Sequence, residues 1–276
     1  MTSRDKRGPD PTLLLSRDVT AVEQAEIMRR DFVANVSHEI RTPLTVLMGF
    51  VETLQHLPLD EHERKRYLTL MAQQAHRMQT LVSDLLTLSR LEGSPLPGSG
   101  EWTAVATMMA QCEQEAQALS AILGKSQGLR FAEPPELEIA GSPNELLSAL
   151  SNLVSNAVRY TPSGGTIHVQ GRTLADGRFE FSVRDTGPGI ASEHIARLTE
   201  RFYRVDRSRS RETGGTGLGL AIVKHVVQRH GAELKIESTP GVGSTFAIVF
   251  PASRMRPAGV PADGSERPAT ESAAAR

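Results

Sequence analysis

From Tyr67 to Leu88 the chain carries Tyr67, Met71, Gln74, Met78, Leu81, Leu85 and Leu88, a spacing that alternates four and three. A seam of that period, held over about three heptads, commits the segment to a long helix that buries one stripe against another helix. The preceding stretch supplies the partner. From Val19 to about Leu57, Phe32, Val36, Ile40, Leu44 and Leu47 keep a helical step, and Pro58-Leu-Asp-Glu-His62 then interrupts it. Two helices with a short turn form an antiparallel hairpin. A hairpin alone buries little, so two copies are expected to pair as a four-helix bundle, which makes the chain a homodimer.

His38 lies within the first helix and off its apolar stripe, so it is expected to face solvent. A neutral imidazole has a free nitrogen lone pair at pH 7 and can act as a nucleophile. Glu39 follows at once, and a carboxylate beside the ring can bond one ring nitrogen while the other attacks. Thr42 is one turn on and shares the face of His38. Pro43 cannot donate to the carbonyl of Glu39 and its ring crowds that group, so a local kink is expected there. By itself a surface His-Glu pair on a helix is an ordinary solvated face. It gains weight from four clusters that lie more than a hundred residues further along the chain.

The segment Gly93-Ser-Pro-Leu-Pro-Gly-Ser-Gly100 reads as a flexible linker by composition. Beyond it helices and strands mix. A short strand and a helix fill Trp102 to Leu123, and Leu129–Glu133 and Leu137–Ala140 read as strands. Ser142, with Glu145 three residues on, reads as a capping box opening a helix that ends near Tyr160. Thr166–Arg172 and Arg178–Arg184 alternate as a hairpin, Gly217 to His230 is helical, and Ala232–Ser238 and Ser244–Phe250 form a last hairpin. This is α+β, helices over a mixed sheet.

Each of the four clusters in this half carries chemistry. Asn152, Asn156 and Tyr160 step by four along one helix face, with Arg159 beside them and Leu146, Leu150, Leu153 and Ala157 as the buried stripe. An amide oxygen is a hard ligand suited to Mg²⁺, Arg159 can meet phosphate, and Tyr160 offers an aromatic face. Asp185-Thr-Gly-Pro-Gly189 closes a strand; its carboxylate can accept the exocyclic amine of adenine, and Gly187 and Gly189 let backbone approach a ring. Arg201 to Arg211 is a basic loop in which Phe202 and Tyr203 can anchor a flap and Arg204 can reach phosphates. Gly214-Gly-Thr-Gly-Leu-Gly-Leu220, with Gly215, Thr216, Gly217, Leu218 and Gly219, opens a helix whose N–H groups and dipole attract anions. Singly, each is matched by a bland reading: a polar helix face, a tight turn, a solvated loop. No Lys-Ser/Thr follows the glycines, so a P-loop is excluded, and no second βαβ unit supports a dinucleotide fold.

At 276 residues the chain has room for two domains, and its net charge of −1 argues against direct nucleic-acid binding. Cys112 is the only cysteine, so internal disulfides and thiolate clusters are excluded. No apolar run has the length of a membrane span and no signal peptide is visible, so no membrane contact by this chain itself is expected and a reducing compartment suits it.

Taken together and in this order, the four clusters resemble the N, G1, F and G2 boxes of sensor histidine kinases, within the GHKL ATP-binding superfamily. Ser37-His-Glu-Ile-Arg-Thr-Pro-Leu44 is similar to that family's H box, and the residues around it look nearest to the phosphate-regulon sensors. The resemblance implies two domains: an all-α hairpin forming a dimeric four-helix bundle over residues 19–92, and an α+β sandwich of the Bergerat type over 101–251, joined by a linker at 93–100. Residues 1–18 read as a disordered start and the remnant of a PAS-like sensor, and 252–276 as a disordered tail.

The resemblance also implies the chemistry. The chain would be an ATP-dependent protein-histidine kinase, with ATP and Mg²⁺ as cofactors and a response regulator's receiver domain as partner. His38 would be the phosphoacceptor, Glu39 its general base, and Thr42 the residue that orients water for regulator dephosphorylation. Asn156 would hold Mg²⁺ with Asn152 nearby, Arg159 would touch phosphates, Tyr160 would lie by the adenine, and Asp185 would bond it. Gly187 and Gly189 would shape that pocket, and Gly215, Gly217 and Gly219 the lid hinge and phosphate site. Phosphate-starvation signalling is implied by the nearest branch, as is a cytoplasmic location, as the inner part of a longer membrane-anchored parent. The rivals are an ATPase clamp of the gyrase, Hsp90 or MutL kind, which would need Glu where Asn152 stands, and a non-catalytic ATP-binding scaffold.

Overall fold

The computed structural model describes residues 20–206 and 215–259. The start and PAS-like remnant, the loop arginines Arg207, Arg209 and Arg211, Gly214, and the tail beyond Gly259 lie outside the described residues. Helix α1, Thr20–His56, runs through Pro43, and α2 spans Glu61–Gly93. Asp60 starts α2 with a complete capping box: its side chain accepts from Glu63 N at 2.7 Å, and the Glu63 carboxylate accepts from Asp60 N at 3.2 Å. The heptad seam is the face that packs. Tyr67, Met71, Gln74, Met78 and Leu85 are half-buried, and Leu81 and Leu88 are buried. On α1 one expectation fails. Leu44 is exposed and Pro43 is buried in its place, because the inward stripe runs Phe32, Val36, Ile40, Pro43, Leu47. Pro43 thus fills the interface as an apolar side chain.

The second half builds a five-stranded mixed sheet and a small three-stranded one. The strands are β1 Trp102–Ala104, β2 Gly128–Phe131, β3 Leu137–Ala140, β4 Thr166–Thr173, β5 Phe179–Asp185, β6 Glu233–Thr239, β7 Gly243–Phe250 and β8 Met255–Pro257. The helices are α3 Val105–Ile122, α4 Pro143–Tyr160, the short α5 Ser192–Ile195 and α6 Gly219–Arg229. The larger sheet has the order β2-β4-β5-β7-β6, parallel only between β2 and β4. The alternating residues Ile167, Val169, Phe179, Phe181 and Val183 are all fully buried from β4 and β5. They meet α3, α4 and α6, whose apolar stripes close one core. Leu81, Leu88 and Leu91 of α2 join the same cluster, so the long hairpin is packed onto the second half at its far end. Burying such a leucine contributes about 2 kcal/mol.

Three sequence expectations are corrected. Ser142 is the N-cap of α4 but makes no side-chain capping bond, and the Glu145 carboxylate turns instead to Arg229, accepting from Nε at 2.9 Å and Nη2 at 3.0 Å. The segment after Pro251 is ordered as far as a 3₁₀ turn and β8, which pairs antiparallel with β3 through Ile139↔Met255. The linker is held at its start: Arg229 donates to the carbonyls of Leu91 and Ser94 at 2.9 Å each and of Pro95 at 2.6 Å. Composition describes the freedom of the unpaired backbone, and here the Arg229 guanidinium supplies partners for it. Among the described residues no helix is long and apolar enough to cross a membrane.

Candidate functional site

Helix α4 positions the first cluster. Its buried stripe of Leu146, Leu150, Leu153 and Ala157 fixes the rotation, so Asn152, Asn156, Arg159 and Tyr160 face a cavity of about 380 Å³. Its C-terminus is tied down by Lys125, which donates Nζ to the carbonyls of Val158 at 3.0 Å, Thr161 at 2.9 Å, and Arg159. A cation at that end also meets the negative pole of the helix. Burial, with the nearby charge of Arg159, lowers the pKa of Lys125. Sequence reading passed over this residue, which lies in an unpatterned loop.

The second cluster forms the cavity floor. Asp185 ends β5 and is buried, and its Oδ1 accepts from Gly187 N at 2.7 Å. Burial raises its pKa, opposed by the N–H groups of Gly187 and Ser244. Gly189 has φ +68°, and a Cβ there would stand 2.0 Å from the carbonyl oxygen of Thr239. The turn can therefore lie against the β6–β7 turn only without a side chain, and Gly241 N donates to Pro188 O at 2.7 Å across that contact.

The last two clusters supply the far wall, with Tyr203, Arg204, Gly215, Thr216, Gly217 and Gly219. A Cβ on Gly219 would lie 2.4 Å from Asn152 Oδ1, so this glycine leaves that amide oxygen room beside the cavity. Three of the expected site residues stand elsewhere. Gly187 sits behind Asp185, and Leu218 is fully buried in the core. Phe202, with the non-glycine φ of 62°, packs its ring 5.9 Å from that of Phe32 on α1. Sequence reading missed Ile190, Leu198, Ser244 and Phe246 in the lining, and above all Thr80 and Asp84 from α2. Asp84 Oδ2 accepts from the Thr216 hydroxyl at 2.6 Å. Burial raises the pKa of Asp84, opposed by that hydroxyl and by the charge of Arg159.

His38 is exposed, as its place off the stripe requires, and does not line this cavity. It borders a separate shallow hollow with Arg41, Thr42, Thr45 and Val46. The Thr42 hydroxyl donates to the His38 carbonyl at 3.1 Å. Glu39 does not bond the imidazole: its Oε2 accepts from Arg77 Nη2 at 3.1 Å and lies 3.9 Å from Arg204 Nη1. Arg204 therefore stands between the cavity and the carboxylate next to His38.

The arrangement is one apolar-walled recess with an acid at its floor, amides and an arginine on one side, and a glycine-rich helix start on the other. It suits a planar amine-bearing ring joined to an anionic chain. Known proteins agree. Residues 28–94 match the His Kinase A (phospho-acceptor) domain, and residues 141–254 match the histidine kinase-, DNA gyrase B-, and HSP90-like ATPase family. The chain is 53% identical over 239 residues to the phosphate regulon sensor protein PhoR of Pseudomonas aeruginosa, covering 86% of this chain and 53% of that one. It is 39% identical over 227 residues to the sensor-like histidine kinase SenX3 of Mycolicibacterium smegmatis, covering 82% and 58%. The chain thus spans a little over half the length of these curated relatives. Among solved structures, full-length ShkA in complex with AMPPNP is 28% identical with a TM-score of 0.56, over 80% of this chain and 45% of that one.

Proposed function

This chain belongs to the sensor histidine kinases of the GHKL superfamily, and on that premise we propose that it moves the γ-phosphoryl group of ATP to His38 and on to an aspartate of a response regulator. The observation that carries the reading is the pairing of a solvent-facing His38 with a separate recess lined by Asn152, Asn156, Asp185 and the Gly215–Gly219 segment. Asp185 accepts the adenine amine and Tyr160 lies by the ring. Arg159 and Arg204 meet phosphates. Asn156, with Asn152 nearby, would hold a Mg²⁺ ion, which would neutralise phosphate charge. In transfer, a ring nitrogen of His38 bonds the γ-phosphorus, the bond to the ADP oxygen breaks, and Glu39 takes the imidazole proton. The recess and His38 are apart in this arrangement and Glu39 is engaged by Arg77, so transfer requires the nucleotide domain to leave its present seat.

The rival clamp ATPase would need a base for water where Asn152 stands, and an amide cannot serve as one. The match over residues 28–94 to a phospho-acceptor domain also favours the kinase. Likeness to phosphate regulon sensors supports phosphate limitation as the signal context. ATP as substrate and a single buried Cys112 fit the cytoplasm.

The second copy is proposed on the hairpin's outer face. Val33, Leu44, Met48 and Val51 on α1 and Leu68, Val82 and Leu86 on α2 are all exposed large apolar groups. Residues 44, 48 and 51 follow helical steps, as do 82 and 86. Pairing these faces of two copies gives the four-helix bundle. Sedimentation at micromolar concentration is expected to give twice the chain mass, and a monomer would reject the pairing.

Wild-type protein given γ-labelled ATP and Mg²⁺ is expected to take up label that survives alkali and is lost in acid, then to pass it to an isolated receiver domain. Thr42→Ala is expected to keep that uptake within about twofold while regulator dephosphorylation falls about tenfold, the scale of a lost positioning contact in a transition state. The measurement is decay of labelled regulator with ADP present. Equal decay with wild type and variant would remove Thr42 from that role.

A further inference from the structure

Helix α2 reaches into the nucleotide recess. Thr80 and Asp84 line it beside Asn152, Arg159, Gly215 and Thr216, although they belong to the hairpin. The contacts at this seam share one pattern. Asp84 accepts from the Thr216 hydroxyl at 2.6 Å. Glu92 pairs with Arg201, and Glu39 lies 3.9 Å from Arg204. In each case an acid of the hairpin meets a hydroxyl or cation of the nucleotide domain; Thr216 and Arg204 line the recess, and Arg201 lies outside it. Thr216 stands just before the start of α6, where N–H groups and the helix dipole draw negative charge. Leu218 N also donates to the Thr216 hydroxyl, at 3.3 Å.

We propose that α2 is a tethered competitor for the nucleotide's phosphates, with the Asp84 carboxylate taking a phosphate position at Thr216 while the hairpin and the nucleotide domain are docked. The inference rests on the reading of this recess as an ATP site. A carboxylate and a phosphate oxygen accept from the same donors, so the two cannot hold Thr216 together. The docked state and the nucleotide-loaded state then exclude each other in part. By linkage, the triphosphate weakens docking by the same factor that docking weakens the triphosphate. The device couples loading to release: arrival of the phosphates frees the domain to travel to His38. It also makes the competition specific to the phosphate end, since Asp185 at the adenine end touches no hairpin acid among the described residues.

The test uses the full chain and titration calorimetry with AMPPNP-Mg²⁺ and with adenosine. Asp84→Ala is expected to bind AMPPNP about tenfold more tightly than wild type, the correction expected when a closed state is no longer favoured, with adenosine changed less than about twofold. Asp84→Asn keeps the side chain's volume and an acceptor for Thr216, so it guards against a misfolded alanine variant. It is expected to fall between the two. Hydrogen exchange supplies a second readout: amides of residues 80–92 should exchange faster on AMPPNP addition in wild type, and already without ligand in Asp84→Ala. Equal or weaker AMPPNP binding in both variants overturns the competitor role while leaving the ATP site intact. If neither AMPPNP nor adenosine binds wild type or variants, the reading of the recess fails and the competitor fails with it.

Discussion

His38→Ala is expected to take up no phosphoryl label from γ-labelled ATP, while its affinity for AMPPNP stays within about twofold of wild type. The two halves of this expectation come from different parts of the molecule. The ring is exposed on α1, clear of the inward stripe of Phe32, Val36, Ile40, Pro43 and Leu47, so its removal leaves the helix packing untouched. It lies outside the recess lined by Asn152, Asn156 and Asp185, so nucleotide binding has no contact to lose. What disappears is the only group proposed to form a phosphorus–nitrogen bond, and no partial activity should remain. The acid lability of the wild-type label identifies that bond. A variant that keeps alkali-stable label would move the acceptor to another residue. One that loses AMPPNP binding as well would mean that His38 supports the recess, against its position.

Much of this was legible in the residues, and the limits have physical causes. Periodicity gives rotation about a helix axis, so the seam of α2 and the two stripes of α4 could be read from spacing alone. It does not say which of two adjacent apolar residues packs, and Pro43 takes the inward place where Leu44 was expected. The acid and glycines of residues 185–189 were legible because a strand end followed by residues able to take positive φ is a local pattern. Asp84 was not, since an acid in the middle of an amphipathic helix reads as solvated surface until the second half is packed over it. The anchoring of the linker's start was hidden for the same reason: Arg229 lies well over a hundred residues away from the carbonyls that it holds. The capping box at Ser142 lost its Glu145 half to that same arginine, which draws the carboxylate into an ion pair. Contacts distant in sequence were invisible, and here they include the contacts between the two domains.

Asp185→Asn tests the floor of the recess, and it is expected to weaken ATP binding about 100-fold without lowering the melting temperature by more than a few degrees. The substitution is nearly isosteric, and the amide oxygen remains an acceptor for the bond to Gly187 N. Oδ1 already accepts from Gly187 N at 2.7 Å, so the amide keeps its oxygen there and turns its NH₂ group toward the ring site. The exocyclic amine of adenine then meets a donor instead of a charged acceptor. A hydrogen bond to a charged group contributes about 1.5–3 kcal/mol, and facing two donors at van der Waals distance adds desolvation without return. Together these amount to roughly two orders of magnitude in the dissociation constant. The native carboxylate is held ready at some cost, since burial raises its pKa against the N–H groups of Gly187 and Ser244. Removing that buried charge relieves the unliganded fold, which is why stability should hold. The same reversal predicts a change of preference. Guanine presents a carbonyl where adenine presents its amine, so the variant should lose most of its discrimination against GTP. Calorimetry with ATP and GTP on both proteins decides it: an Asp185→Asn variant with wild-type ATP affinity would place the adenine elsewhere in the recess.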